Sequence, residues 1–127
     1  MKRLFLVTAA IFLILAFVSG CTFGSYSLRN SSEKSGRDHW QIRYEKFNGF
    51  KQRNIKLSGE CEHTFSVEIV TNSGALGLVI KDGNGTSIYD GEELPSSAFS
   101  VKADSSGKYT IRVNADNHSG GFNIKWE

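Results

Sequence analysis

The chain has 127 residues, 39% of them hydrophobic, with 15 Lys+Arg against 13 Asp+Glu and a formal net charge of +2. That length supports one core rather than two, and the near-even charge leaves no polybasic footprint for nucleic acid. With two cysteines, Cys21 and Cys61, the chain is not a disulfide-dense secreted scaffold.

The first predicted element is a signal segment. Lys2 and Arg3 precede Leu4 to Val18, an almost wholly apolar run that ends at the small residues Ser19 and Gly20. A positive start, a short apolar stretch and a small-residue boundary form the layout of a secretory signal peptide. The run is short for a permanent spanning helix, which needs about 20 apolar residues. Val18-Ser19-Gly20-Cys21 resembles the bacterial lipobox, in which an aliphatic residue and two small residues precede the cysteine of the lipoprotein family. The resemblance implies cleavage between Gly20 and Cys21, and lipidation of Cys21 with diacylglycerol and an N-acyl (palmitate-type) chain. Two or more chains give stable attachment where one holds only marginally. It also implies an extracytoplasmic address on the cell membrane. In a two-membrane bacterium, Thr22 rather than Asp after the cysteine would direct the chain to the outer membrane.

Lys2 and Arg3 are the only charges in residues 1–20, so the remainder is balanced overall but uneven along its length. Arg29 to Lys56 carries eight basic and three acidic residues; Leu57 onward carries five basic and ten acidic. A basic, membrane-proximal half would sit favourably against anionic head groups. Thr22 to Asp38 is rich in Ser, Gly and charge without apolar periodicity, and reads as a flexible tether between lipid and domain. The expected organisation is therefore a signal at 1–20, a lipidated cysteine and tether at 21–38, and a folded domain at 39–127.

From Trp40 the pattern has period two, the signature of half-buried strands. Trp40, Ile42 and Tyr44 alternate with polar residues, and Phe47-Asn48-Gly49-Phe50 has the strongest short hairpin signal. Ile55 and Leu57, then Phe65, Val67 and Ile69, share inward parity, before a predicted turn at Asn72-Ser73-Gly74. Leu76, Leu78 and Ile80 follow, with a turn at Asp82-Gly83-Asn84-Gly85. Phe99, Val101 and Ala103 come after the only proline, and Ser105-Ser106-Gly107 turns into Tyr109, Ile111 and Val113. Asn117 to Gly121 reads as the last turn before Phe122, Ile124 and Trp126. About eight short strands and no helical stripe after the signal point to an all-β, antiparallel β-sandwich. The stretches "GKYTIRV" (107–113) and "GGFNIKW" (120–126) resemble the last strands of jelly-roll-like sandwiches such as pre-peptidase C-terminal domains. The pairing of a lipobox with one such domain is similar to small lipoproteins of Bacillus-like bacteria. These resemblances imply fold and address, and no activity.

Chemistry is thinly represented. His39, His63 and His118 have no metal-ligand spacing, and no Gly-x-Ser-x-Gly elbow is present. Asp82 to Glu93 is acidic and glycine-rich, but its ligand positions depart from a calcium loop, and a tight turn explains it. Cys61, flanked by Glu60 and Glu62, shares parity with Phe65 and is expected in the core as a small hydrophobe. Trp40, Tyr44 and Trp126 share parity with core neighbours, which leaves Tyr89, opposite in parity to Ile88, as the candidate ligand contact. The expectation is a non-enzymatic binding or interaction module at the cell envelope without metal or cofactor. A protein partner is favoured, and carbohydrate or cell-wall glycan binding is the alternative. A contiguous exposed apolar patch would support the first, and a groove with polar groups the second.

Overall fold

The computed structural model describes residues 22–59 and 62–126. The expectations for cleavage at Gly20 and Cys21, for lipidation of Cys21 and for a core position of Cys61 fall outside these residues.

The described chain is all-β. Its strands are β1 (Thr22–Phe23), β2 (Tyr26–Arg29), β3 (Ser32–Ser35), β4 (His39–Leu57), β5 (His63–Asp82), β6 (Ser87–Gly91), β7 (Ser97–Ala103) and β8 (Gly107–Trp126). All pairings are antiparallel, and β8 lies at the centre with β4 on one side and β5 on the other. Strands β4, β5 and β8 run 19, 20 and 20 residues, about twice the upper length usual for a globular strand. They reach that length by bending. Register shifts interrupt the ladders between Tyr44 and Gly49 in β4 and between Thr71 and Ala75 in β5, opposite 115–120 of β8.

Each long strand therefore contributes one half to each of two layers. Layer 1 contains β3, residues 39–44 of β4, 120–126 of β8, 63–71 of β5, and β7. Layer 2 contains β1, residues 49–57 of β4, 107–115 of β8, 75–82 of β5, and β6. Strand β2 pairs with residues 46–49 of β4, alongside its bend. The inward faces meet between the layers: the rings of Phe65 from layer 1 and Tyr109 from layer 2 lie 5.6 Å apart, edge to face. The result is the expected antiparallel β-sandwich.

The inward sets are those of the sequence pattern. Trp40, Ile42, Phe65, Val67, Ile69 and Ile124 are buried from layer 1, and Leu76, Leu78, Ile80, Ile111 and Val113 from layer 2. Each such side chain contributes about 1.5–3 kcal/mol through removal from water, so parity fixes which way every strand faces.

Two expectations are corrected. Asn48-Gly49, Asn72-Ser73-Gly74 and Asn117–Gly121 are corners inside continuous strands, not hairpin turns. Their positive-φ residues (Gly49 at 107°, Gly74 at 76°, Asn117 at 47°, Gly120 at 136°) re-aim the chain as β-bulges do, while pairing resumes beyond. A side chain at Gly74 would overlap the Asn117 carbonyl, and one at Gly120 the Val70 carbonyl, so the β5 and β8 corners require both glycines. The turn at 82–85 does reverse the chain into β6, whereas 104–106 carries it from β7 in layer 1 to the start of β8 in layer 2. At the first, Asp82 Oδ1 accepts the backbone N–H groups of Asn84 and Thr86, each at 2.9 Å, which commits that carboxylate to the turn.

The second correction concerns Thr22–Asp38, expected as a flexible tether. The segment is paired to β4 as β1, β2 and β3. The reason lies in polar groups that the core leaves open. Glu33 Oε1 accepts the indole N–H of Trp40 at 2.9 Å, and the Arg37 carbonyl accepts that of Trp126 at 2.8 Å. Glu33 Oε2 also meets Lys51 Nζ at 3.0 Å. Lys51 has inward parity in layer 2, is 3% exposed, and lies 4.5 Å from the Tyr26 ring centroid. Buried indole N–H groups and a buried ammonium need partners, and the polar N-terminal segment supplies them.

Candidate functional site

The outward positions of layer 1 form successive rows across its three central strands. Arg43 pairs with Gly121, which pairs with Val70; Gln41 pairs with Asn123, which pairs with Glu68. In the first row the central strand has no side chain, so Arg43 and Val70 stand as walls over bare backbone. This is the origin of a groove of about 520 Å³, whose lining also includes Asn30, Ser32, Tyr44 and Phe122. Gly121 is held to glycine because a Cβ there would press on the Ile42 carbonyl oxygen and the Arg43 Cα. At the edge, Asn30 donates from Nδ2 to Glu45 Oε2.

The lining offers planar amides, one guanidinium and one carboxylate. Asn123 Oδ1 is shielded from solvent and has no hydrogen-bond partner among the described residues. Such an acceptor is costly unless a donor meets it, and it sits in the groove's lining. Among the described residues Glu68 is the only carboxylate in that lining.

A second polar cluster lies beneath the corners. His118 is 0% exposed. Its Nδ1 lies 2.6 Å from Tyr44 Oη and its Nε2 2.8 Å from Thr71 Oγ1. Thr71 Oγ1 donates to the Leu94 carbonyl at 2.9 Å, so it accepts from Nε2–H, and Nδ1 accepts from the Tyr44 hydroxyl. This is the arrangement of the neutral ring, the form that burial favours. Burial pushes the His118 pKa below its ordinary value and the Tyr44 pKa above its own. A threonine, a histidine and a tyrosine in one chain look like a nucleophile with its base, yet no substrate reaches a wholly buried ring. The cluster joins the corners of β4, β8 and β5 to the loop after β6.

The remaining sequence candidates are placed as follows. Tyr89 is half-buried, its ring 4.9 Å from that of Phe99, and it does not line the groove. Trp40, Tyr44 and Trp126 are core residues. His39 opens β4 beside Asp38, whose carboxylate is held below its usual range by the hydrogen bond from His39. His63 is buried at the start of β5. No group of three or more His, Cys, Asp or Glu side chains suited to a metal is gathered among the described residues.

The sequence reading missed Arg43, Glu68, Gly121 and Asn123. Three of them were visible as polar residues opposite in parity to the core, but nothing in the sequence put the three strands side by side. Gly121 was hidden because Asn117–Gly121 looked like a turn.

No family model matches this chain, and no curated protein matches it. Among solved structures, it is similar to a low-affinity xylan-binding module, CBM86, from Roseburia intestinalis, with 8% identity and a TM-score of 0.43, covering 83% of this chain and 89% of that one. A CBM4 structure matches at 10% identity and a TM-score of 0.40 over 87% of this chain and 79% of the other. A xylanase from Cellvibrio japonicus matches at 10% identity and a TM-score of 0.41; the match covers 84% of this chain and 25% of the enzyme. At these values the likenesses carry no inference about this chain's ligand.

Proposed function

We propose that this chain is a lipid-anchored, extracytoplasmic binding module, not an enzyme, whose layer 1 groove holds a hydroxyl-rich glycan of the cell envelope. The observation that carries the ligand reading is a groove whose central strand is stripped to glycine at Gly121 and whose lining sets the polar side chains of Gln41, Arg43, Glu68 and Asn123 side by side. Gln41, Arg43, Glu68 and the Asn123 amide supply the mixed donors and acceptors that a polyol needs. One cation and one anion leave the groove nearly neutral, which suits an uncharged sugar face. The protein-partner expectation asked for a contiguous exposed apolar patch. Among the described residues the exposed large hydrophobics are Tyr26 at 46% and Val70 at 45%, one beside the β4 corner and one in the groove wall, so that support is lacking.

The anchor reading rests on the Val18–Cys21 motif. Its test is Cys21→Ala, which is expected to abolish palmitate labelling and release the protein from the membrane fraction. A variant that stays labelled and membrane-bound contradicts it. The ligand reading is tested by sedimentation of the chain from Thr22 onward with purified, protein-free cell wall. Saturable co-pelleting that falls about tenfold, or 1.4 kcal/mol, in Asn123→Ala is the expected result. Absence of pelleting contradicts the glycan reading and returns the protein partner, to be sought by cross-linking in intact cells.

A further inference from the structure

The outer face of layer 2 has a different character. Here Arg112 lies between Gln52 and Val79, Thr110 between Asn54 and Lys81, and Lys108 opposite Lys56. Lys56, Lys81, Lys108 and Arg112 all border one hollow of about 630 Å³. Among the described residues the single carboxylate in its lining is Asp82, whose Oδ1 is already engaged by two backbone N–H groups. Lys56 and Lys108 are direct cross-strand partners, an arrangement that destabilises a sheet unless something anionic lies over it. The Arg112 guanidinium is spread over the Phe50 ring at 4.1 Å from its centroid and donates from Nε to Asn114, which fixes it on the surface.

The chain also enters the fold at this layer. Thr22 pairs with Arg53 and Phe23 with Gln52, antiparallel, so the upstream direction at Thr22 runs along β4 toward Asn54 and Lys56. Cys21 is the next residue in the sequence. With β1 paired, the slack of a long tether is gone.

We infer that the cationic end of the outer face of layer 2, the hollow bordered by Lys56, Lys81, Lys108 and Arg112 and set apart from the acidic end at Asp90, Glu92, Glu93 and Asp116, is a membrane-docking surface, lying against anionic phospholipid head groups of the leaflet that holds the lipidated Cys21. The inference rests on the proposed lipid anchor and adds an orientation to it. Cations close to an anionic leaflet are attracted over about a Debye length, and a lipid one residue from β1 keeps them within that range. Layer 1 carries cations as well, among them Lys102 and Lys125, but its outer face points the opposite way. The same orientation turns the groove of Arg43, Glu68 and Asn123 away from the bilayer, toward the wall.

The test is lysine footprinting on the full mature protein, purified from membranes and reconstituted into vesicles of phosphatidylcholine alone or of phosphatidylcholine with phosphatidylglycerol. Brief acetylation followed by mass spectrometry is expected to show Lys56, Lys81 and Lys108 labelled several-fold more slowly on the anionic vesicles. Lys102 and Lys125 stay unchanged, and high salt removes the difference. Equal labelling on both vesicles, or protection centred on Lys102 and Lys125, overturns the inference. Flotation reports the anchor separately. Flotation with neutral vesicles supports the lipid, and flotation with anionic vesicles alone contradicts the lipid while supporting the face. Flotation with neither removes both.

Discussion

The two outer faces of this sandwich are made by the same three strands, yet they differ over the central one. On layer 1, β8 presents Gly121, Asn123 and Lys125; on layer 2 it presents Arg112, Thr110 and Lys108. The first set opens a groove with an unsatisfied amide oxygen, and the second raises a line of cations around a hollow. A strand that bends at 115–120 gives one sequence two separate surfaces. The corner makes the two-sided chemistry available, because a straight strand would present both sets of residues on one sheet.

The contrast depends on the layers staying in place, so the largest expected effect is at their seam. Glu33→Ala leaves the Lys51 ammonium buried without its carboxylate and the Trp40 indole N–H without its acceptor. The expected loss is about 3 kcal/mol, at the lower end for a broken buried ion pair because a third of the Glu33 side chain remains in solvent. Urea denaturation reads this directly. A change under half a kilocalorie would mean that the N-terminal segment does not seal the sandwich. For the same reason a chain begun at Gly36 is expected to be much less stable than one begun at Thr22.

Next in size is the corner that joins the faces. Tyr44→Phe removes the donor to His118 Nδ1 and is expected to cost about 1–3 kcal/mol, the cost of a buried acceptor left unmet. His118 also imposes a pH dependence. Its folded-state pKa lies below the ordinary 6.5, so below that pH the unfolded chain takes up the proton first. Stability therefore falls as pH drops from about 6.5 toward the lowered folded value, and above 6.5 this residue contributes no slope. Comparison of denaturation midpoints for wild type and His118→Gln across that range checks the sign.

Two smaller effects separate the faces. Asn123→Ala is expected to lower wall binding about tenfold, equivalent to 1.4 kcal/mol, with vesicle docking intact. Lys108→Glu replaces a like-charge cross-strand pair with an attractive one and is expected to raise stability by about 0.2–1 kcal/mol. It should weaken docking to anionic vesicles and spare wall binding. If either variant altered both activities alike, the division of labour between the faces would be wrong.

Much of the interior was legible in the sequence. Period-two alternation identified the inward residues of β4, β5, β7 and β8, because each strand has one dry face and parity cannot slip without exposing it. The corners were not legible, since Asn-Gly and Ser-Gly pairs serve a hairpin and a bulge equally well through positive φ. Only the continuation of pairing past Gly49, Gly74 and Gly120 tells the two apart, and that is a long-range fact. The tether was misread for a related reason. Residues 22–38 lack an apolar stripe because they dock through Glu33, the Arg37 carbonyl and backbone ladders, which composition does not register. The groove depends on both failures, because Gly121 lies in a supposed turn and Asn30 in the supposed tether. Cross-strand neighbours such as Gln41, Asn123 and Glu68 are far apart in the chain, and no local pattern marks them as a set.

The most direct test of the account is an NMR titration of the chain from Thr22 with solubilised cell-wall glycan strands. The expected result is saturable shifts of the Gly121 and Asn123 backbone amides, the Asn123 side-chain amide and their neighbours Gln41 and Glu68, with the Lys56, Thr110 and Arg112 signals unmoved. Shifts confined to layer 2, or none at saturating glycan, would contradict a glycan site in the groove of layer 1.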